Sequence, residues 1–212
     1  MMKNFVFDVD GTLIDSEKMY MLSMQRALAD TGRQFEYDQL SPTFGTTGAI
    51  ALKQIGIPDA EIPGIMAVWQ DYTKDTYDTM HVYPGVEAAL KQLHENSQIK
   101  TAIVTSKAAA EYQRDLVENF PLDRYMDNHV TADEVKRGKP APDSLLALVK
   151  KMSLDVADTV YVGDTIYDLQ AAHAAGIAFA LVTWGAEKDQ ALIRDSEYIV
   201  DKPHALLDLI TK

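Results

Sequence analysis

The feature that most constrains the fold is a regular alternation of short apolar runs with helical patterns. A first apolar run ends at Asp8, and later runs occupy 99–105, 158–164 and 177–183. Further short strands are expected near 129–131 and 197–200, and helical spacing is found at 107–119, 142–152, 167–175 and 187–194. Near-continuous apolar strands that alternate with helices are typical of a parallel sheet covered on both faces. The sequence therefore predicts an α/β fold with a doubly wound, Rossmann-like parallel sheet.

Residues 16–81 interrupt this alternation, because they carry helical patterns only. We therefore predict a core domain formed by 1–15 and 82–212, and an inserted α-helical domain formed by 16–81. An insert that follows the carboxyl end of the first strand stands over the place where such sheets bind ligands. The alternative is that these helices only pack against the sheet.

Composition excludes several classes of function. The 212 residues include no cysteine, so disulfides, zinc thiolate sites and cysteine nucleophiles are excluded. The formal net charge of −12 disfavours binding to nucleic acid or to anionic membranes. We find neither a membrane-spanning run nor a signal peptide, and we expect a soluble, cytoplasmic protein.

Two carboxylates follow the first apolar run. Asp8 and Asp10 are two residues apart, so on a strand they point to the same face, and Gly11 allows a sharp turn after them. The alternatives are an ordinary acidic turn or a calcium loop, but Lys18 and Met19 stand where such a loop needs a glutamate.

A second acidic pair, Asp164 and Asp168, closes a later buried run and opens a helix. If both runs belong to one sheet, these acids converge with Asp8 and Asp10. Two carboxylates 4 Å apart repel by about 4 kcal/mol at an effective dielectric constant of 20, so either some of the acids are protonated or a cation neutralises them. Oxygen ligands beside a phosphate favour Mg²⁺. Asp168 has a second interpretation, as an acid in the first turn of its helix.

Two further segments supply groups that bind phosphate. Lys139 lies in a proline-rich loop, residues 138–143, which can direct its ammonium group towards the acids. Thr105 and Ser106 end a central strand where a helix is predicted to begin, and hydroxyls at such a position bind phosphate oxygens or cap the helix. We expect Ser106 to cap the helix and Thr105 to face the ligand.

These four elements, in this order, resemble the haloacid dehalogenase-like hydrolase superfamily. The resemblance covers the whole chain and rests on Asp8-Val9-Asp10-Gly11-Thr12, Thr105, Lys139 and Gly163-Asp164-x-x-x-Asp168. The helical insert resembles the small α-helical cap of this superfamily. Among its subfamilies, the chain looks most like phosphoglycolate phosphatase and related phosphatases that act on small phosphoesters.

The resemblance implies a phosphatase that forms an aspartyl-phosphate. Asp8 is then the nucleophile, and Asp10 protonates the leaving oxygen and later activates water. The phosphoryl oxygens are held by Thr105 and Lys139, together with backbone N–H groups near Val9 and Ser106.

The resemblance also implies a bound Mg²⁺. Its ligands are the side chains of Asp8 and Asp164 and the backbone carbonyl of Asp10. Asp168 is either a further ligand or a residue that orients the others. The implied partner is a small phosphorylated metabolite, and the chain is a monomer or a homodimer in which Trp69 is a candidate contact.

Three alternatives remain. Haloacid dehalogenases use the same fold but lack the second acid, which is present here as Asp10. A β-phosphoglucomutase-like phosphotransferase needs basic residues in the cap to bind a second phosphate. The loop 41–48 has none, although Arg26, Arg33, Lys53 and Lys74 are found elsewhere in the insert. The third alternative is a non-catalytic, phosphate-binding regulatory protein.

Overall fold

A computed structural model describes residues 1–185 and 190–211. The chain divides into two compact units, one formed by Met1–Ile14 with Val82–Lys212 and the other by Asp15–His81. The start of the helix predicted at 187–194 lies outside the described residues, and a helix is described at Gln190–Asp195.

The larger unit is built on a six-stranded parallel sheet within the described residues. In chain order the strands are β1 (Asn4–Phe7), β2 (Ile14–Asp15), β3 (His81–Val82), β4 (Lys100–Val104), β5 (Asn128–Val130), β6 (Thr159–Gly163), β7 (Ala178–Val182) and β8 (Tyr198–Val200). The sheet has the order β5-β4-β1-β6-β7-β8, and β2 pairs with β3 in a separate two-stranded ribbon. The chain therefore leaves β1 towards one edge and returns to the other side of β1 through β6, so that the order reverses at β1. Ligands bind at such a reversal, beyond the carboxyl ends of the strands.

Helices occur in both units. In chain order the helices are α1 (Glu17–Ala29), α2 (Tyr37–Leu40), α3 (Gly48–Gln54), α4 (Ile62–Thr76), α5 (Val86–Glu95), α6 (Ala109–Tyr112), α7 (Asp143–Met152), α8 (Ile166–Ala175) and α9 (Gln190–Asp195). Helices α1 to α4 lie in the smaller unit and α5 to α9 in the larger one. Side chains of α7, α8 and α9 form one hydrophobic core with alternate residues of β1, β4, β6 and β7. Helix α5 contacts β4 and a terminal 3-10 helix, Pro203–Ile210. The predicted α/β class and doubly wound sheet are confirmed.

The smaller unit, Asp15–His81, contains only helices apart from the ends of the ribbon. Its core is formed by α1, α3 and α4, and Met21, Met24 and Leu28 contribute to it from one face of α1, as their spacing predicts. Trp69 is buried in this core and donates a hydrogen bond to Oγ of Ser23. The suggestion that Trp69 joins two subunits is therefore wrong.

Two local predictions need correction. The segment 107–119 is not one α-helix, since α6 begins only at Ala109 and continues as a π-helix, Gln113–Asn119. Asp8 and Asp10 do not share a strand face, because β1 ends at Phe7 and both acids lie in the loop that follows. Among the described residues, no helix is long and apolar enough to cross a membrane.

Candidate active site

Three adjacent strands end in the polar residues that the sequence singled out. Asp8 follows β1 directly, Thr105 follows β4 and Asp164 follows β6, and all three side chains are buried. The strands are in register, since Phe7 lies beside both Ile103 and Val162. The carboxyl ends of β4, β1 and β6 therefore bring these groups to one edge of the sheet, as predicted.

Lys139 reaches this edge from the loop before α7. Its Nζ lies 2.9 Å from Oδ1 of Asp8 and 2.7 Å from Oδ1 of Asp168. The lysine side chain is only 2% exposed, so both contacts are formed away from water. Burial alone would lower the pKa of Lys139, but the carboxylates of Asp168 and Asp8 raise it above its ordinary value. Lys139 is therefore a fixed positive charge beside Asp8.

Asp168 has four hydrogen-bonding partners in the structure. Its Oδ2 accepts hydrogen bonds from the backbone N–H of Thr165 at 3.0 Å and from the Thr165 hydroxyl at 2.6 Å. Its Oδ1 contacts Lys139 and the hydroxyl group of Tyr161, the latter at 3.1 Å. Asp168 therefore acts as an acid in the first turn of α8, where it accepts hydrogen bonds from Thr165. It also belongs to the acidic cluster, where it contacts Lys139.

Tyr161 belongs to this cluster, although nothing in the sequence analysis singled it out. Its hydroxyl lies 3.0 Å from the carbonyl oxygen of Val104 and 3.3 Å from Nζ of Lys139. Burial, followed by the charges of Asp168 and Asp8, raises the pKa of Tyr161 well above its ordinary value. Tyr161 is therefore a neutral hydroxyl that fixes the position of Asp168 and Lys139.

The loop after β1 is folded tightly against Asp164. The carbonyl of Val9 accepts hydrogen bonds from the N–H groups of Leu13 and Ile14, and the Thr12 hydroxyl donates to Oδ1 of Asp164 at 3.0 Å. Gly11 has a φ of +78°, and a Cβ atom there would lie 2.1 Å from Oδ2 of Asp164. Only glycine fits between this loop and the carboxylate.

The side chain of Asp10 turns towards a different lysine. Lys107 Nζ lies 2.9 Å from Oδ1 of Asp10 and 2.8 Å from Oδ2 of Asp115. The sequence predicts that four acids converge, whereas the buried cluster of ligand oxygens comprises Asp8, Asp164 and Asp168. Lys107 and Asp115 were missed because their pairing depends on the π-helix.

Thr105 and Ser106 lie where β4 ends. Oγ1 of Thr105 accepts a hydrogen bond from the N–H of Lys107 at 3.1 Å, which closes a turn before α6. Thr105 is buried and Ser106 is half-buried. The expectation that Ser106 caps the helix is wrong, because the N-cap of α6 is Ala108.

Crowding of buried acids perturbs their protonation. The pKa of Asp8 is raised to about 7, mainly by burial. The charges of Asp168 and Asp10 also raise this pKa, and the positive charge of Lys139 offsets these effects only in part. Burial, together with the charges of Asp168 and Asp8, raises the pKa of Asp164 well above its usual range. Ionising the whole cluster requires more positive charge than Lys139 provides.

The residues present fit a hard divalent cation. Ligand oxygens of Asp8, Asp164 and Asp168 all lie within 4.8 Å of one another and are buried. Carboxylate oxygens are the ligands that Mg²⁺ prefers, and a divalent ion would supply the positive charge that this cluster lacks.

Comparison with known proteins agrees with this geometry. The model of the haloacid dehalogenase-like hydrolase family matches residues 5–182. The chain belongs to this family. The phosphoglycolate phosphatase of Cereibacter sphaeroides is 33% identical over 192 residues, covering 87% of this chain and 86% of that protein. A provisionally named pyrophosphatase of Caldanaerobacter subterraneus is 28% identical over 208 residues, covering 97% of this chain and 93% of that protein.

A solved structure gives the same result. The crystal structure of a provisionally named phosphoglycolate phosphatase from Lactobacillus plantarum has a TM-score of 0.90 and 30% identity. The alignment covers 99% of this chain and 100% of that one. The resemblance inferred from the sequence motifs, including the likeness to phosphoglycolate phosphatases, is therefore confirmed.

A divalent cation such as Mg²⁺ should stabilise the protein more at about pH 8 than at about pH 5.5. The folded-state pKa of Asp8, about 7, is raised above its ordinary value of 3.8. Without the cation, Asp8 is more easily protonated in the folded state than in the unfolded state. The stability that this protonation contributes is fully present below pH 3.8 and is lost as pH rises through 7. The cation removes that loss by binding the ionised form, and at about 100 times its Kd it adds about 2.7 kcal/mol.

Thermal unfolding with Mg²⁺ or with EDTA at both pH values measures this difference. The expected rise in Tm at the higher pH is on the order of 5–10 °C. Asp164→Asn is the control, since it removes one ligand and one repelling charge and should abolish most of the rise. An equal rise at both pH values, or one that survives in Asp164→Asn, would contradict the assignment of the cation to these carboxylates.

Tyr161→Phe should destabilise the protein by about 1–3 kcal/mol, because it removes a buried hydroxyl and leaves its partners with one hydrogen bond fewer. Urea unfolding measures the loss. Tyr198→Phe removes the same atom from the edge strand β8 and should change the free energy of unfolding by much less. Equal effects of the two substitutions would show that the hydroxyl of Tyr161 has no special role.

Proposed function

We propose that the protein is a Mg²⁺-dependent phosphatase that hydrolyses small phosphate monoesters through an aspartyl-phosphate on Asp8. The observation that carries the proposal is the position of Asp8, buried at the carboxyl end of the central strand between Lys139 and Asp164. A carboxylate nucleophile needs no general base, but it repels the phosphate that it must attack. Lys139, together with a divalent cation held by the neighbouring carboxylates, would supply the positive charge that overcomes this repulsion.

Lys139 and Thr105 are the proposed ligands of the phosphoryl group. The Lys139 ammonium group already contacts Asp8, so it lies beside the oxygen that would bond to phosphorus. Thr105 is buried directly after β4, the strand beside β1. Backbone N–H groups near Val9 and Ser106 complete this set, as the family resemblance implies. Fixed donors of this kind stabilise the charge that develops on the phosphoryl oxygens in the transition state.

Asp8, Asp164 and the backbone carbonyl of Asp10 are the proposed ligands of Mg²⁺. The ion, when bound, screens the anionic nucleophile from the anionic phosphate. We assign Asp168 to holding Lys139 rather than to the ion. A carboxylate has about four sites for hydrogen bonds, and four donor groups lie within hydrogen-bonding distance of Asp168.

Asp10 is the proposed general acid and base. In the first step the bond between Asp8 and phosphorus forms, the bond to the leaving oxygen breaks, and the proton of Asp10 passes to that oxygen. In the second step water attacks phosphorus and gives a proton to Asp10, and the carboxylate of Asp8 is released. The proton balance closes over the two steps, and the products are an alcohol and inorganic phosphate.

A small substrate is favoured by the charges of the inserted unit, which we propose acts as the cap. Four basic residues of this unit were considered as ligands for a second phosphate. Each forms a salt bridge on the unit's surface: Arg26 with Asp75, Arg33 with Glu61, Lys53 with Asp59, and Lys74 with Asp71. The mutase alternative therefore has little support. Phosphoglycolate and pyrophosphate are the first substrates to test, because relatives of this chain are named for them.

Asp8→Asn should abolish phosphate release that the wild type catalyses with Mg²⁺, lowering it by at least about a thousandfold, since the amide cannot form the phosphoenzyme. Phosphate release is measured with Mg²⁺ or with EDTA for phosphoglycolate, pyrophosphate, a sugar phosphate, a nucleoside monophosphate and p-nitrophenyl phosphate.

The matched control is Asp201→Asn, which changes an exposed acid after β8 and should keep wild-type activity. Release that persists in Asp8→Asn would exclude the proposed nucleophile. If the wild type releases phosphate from none of these compounds, the phosphatase proposal fails and a regulatory phosphate-binding protein becomes the better hypothesis.

A further inference from the structure

Lys107 is a buried lysine that the proposed mechanism does not use. Its side chain is 1% exposed, and its Nζ lies between Oδ1 of Asp10, at 2.9 Å, and Oδ2 of Asp115, at 2.8 Å. Asp115 is fully buried, whereas the side chain of Asp10 is 13% exposed. Lys107 thus links the partly exposed carboxylate of Asp10 to the buried carboxylate of Asp115.

Asp115 is placed by an unusual piece of backbone. It lies in the π-helix Gln113–Asn119, which directly follows α6. Arg114 contacts the same carboxylate, with its Nε 2.6 Å from Oδ1 and Nη2 3.2 Å from Oδ2. Burial by itself would raise the pKa of Asp115, but Lys107 and Arg114 together lower it. Asp115 is therefore an ionised anchor held from two sides.

Burying the charged groups of this network is unfavourable, because each of them loses its hydration. Two explanations are open. The network either only fixes the turn between β4 and α6, or it orients the group at its exposed end. The position of Asp10 favours the second explanation, since the ammonium group contacts one oxygen of the proposed acid and base directly. π-Helical turns are also frequent at functional sites.

We propose that Lys107, held in place by Asp115, is a positioning residue that orients the carboxyl group of Asp10 for proton transfer. This inference rests on the proposed phosphatase function. In it, Asp10 gives a proton to the leaving oxygen as the bond between phosphorus and that oxygen breaks. Asp10 then takes a proton from water as the aspartyl-phosphate is hydrolysed. A carboxyl group that is free to rotate transfers these protons less often, because small misplacements are costly in proton transfer.

The test compares two leaving groups in Lys107→Met. An alkyl phosphate needs a proton on its leaving oxygen, whereas p-nitrophenolate leaves without one. The value of kcat/KM reports only the steps up to formation of the phosphoenzyme. We expect kcat/KM to fall by roughly tenfold to a hundredfold for the best alkyl phosphate of the panel, and by less than about threefold for p-nitrophenyl phosphate.

A second readout follows hydrolysis of the phosphoenzyme. If Asp10 is a poorly oriented base in Lys107→Met, water attack becomes rate-limiting. Mixing this variant with p-nitrophenyl phosphate should then give a burst of p-nitrophenolate equal to the amount of enzyme, followed by a slow steady state. Asp115→Asn should change both readouts in the same direction, since it removes the charge that holds Lys107.

Lys150→Met is the matched control, because it makes the same substitution at an exposed position on α7 and should leave both kcat/KM values unchanged. The ratio of the two kcat/KM values does not depend on how much of a preparation is folded. If Lys107→Met does not fold, Arg114→Gln replaces it as a milder change, with a smaller shift in the same ratio.

Equal losses for the two substrates would overturn the proposal, since they would indicate a structural role or direct phosphate binding by Lys107. Unchanged or increased activity on the alkyl phosphate would also overturn it. A wild type that hydrolyses neither compound would refute the phosphatase function itself, and this result is distinct from both.

Discussion

The repulsion among buried carboxylates is the constraint on which the rest of this site depends. Asp8, Asp164 and Asp168 have ligand oxygens within 4.8 Å of one another, and Lys139 is the cation that contacts two of them. At such distances a pair of carboxylates repels by about 4 kcal/mol even at an effective dielectric constant of 20. Burial, together with this repulsion, raises the pKa values of Asp8 and Asp164. A divalent cation, together with Lys139, would supply the positive charge that allows Asp8 to act as the proposed nucleophile.

The sheet order explains why the acids meet. The chain runs from β1 out to β5 on one side and returns through β6 on the other, so β4 and β6 both lie against β1. The groups that follow these three strands are distant in sequence but share one edge. The remaining geometry depends on individual side-chain contacts at this edge. Thr12 donates a hydrogen bond to Asp164, and Gly11 allows the loop to lie close to that carboxylate. The hydroxyl of Tyr161, a residue of β6, contacts Lys139.

Periodicity and motif spacing predicted the parallel sheet and the helices because both depend on neighbouring residues. They also predicted which strand ends carry the polar groups. They failed where a contact depends on distant backbone geometry. The pairing of Asp10 with Lys107 could not be predicted. Lys107 is held by Asp115, and Asp115 is brought to it by the π-helix. Tyr161 was overlooked because an aromatic residue within an apolar strand is normally a core residue, and its hydroxyl becomes informative only beside Lys139.

The two acids of the first loop each have their own lysine, and this separation has a chemical consequence. Asp8 shares Lys139 with Asp168, and Asp10 shares Lys107 with Asp115. In both pairs the other carboxylate, that of Asp168 or Asp115, is fully buried and contacts the same ammonium group. In the proposed mechanism, the nucleophile Asp8 and the general acid Asp10 must differ in protonation although they lie only two residues apart. Separate lysines allow the position of each carboxylate to be fixed independently, which a single shared cation could not achieve.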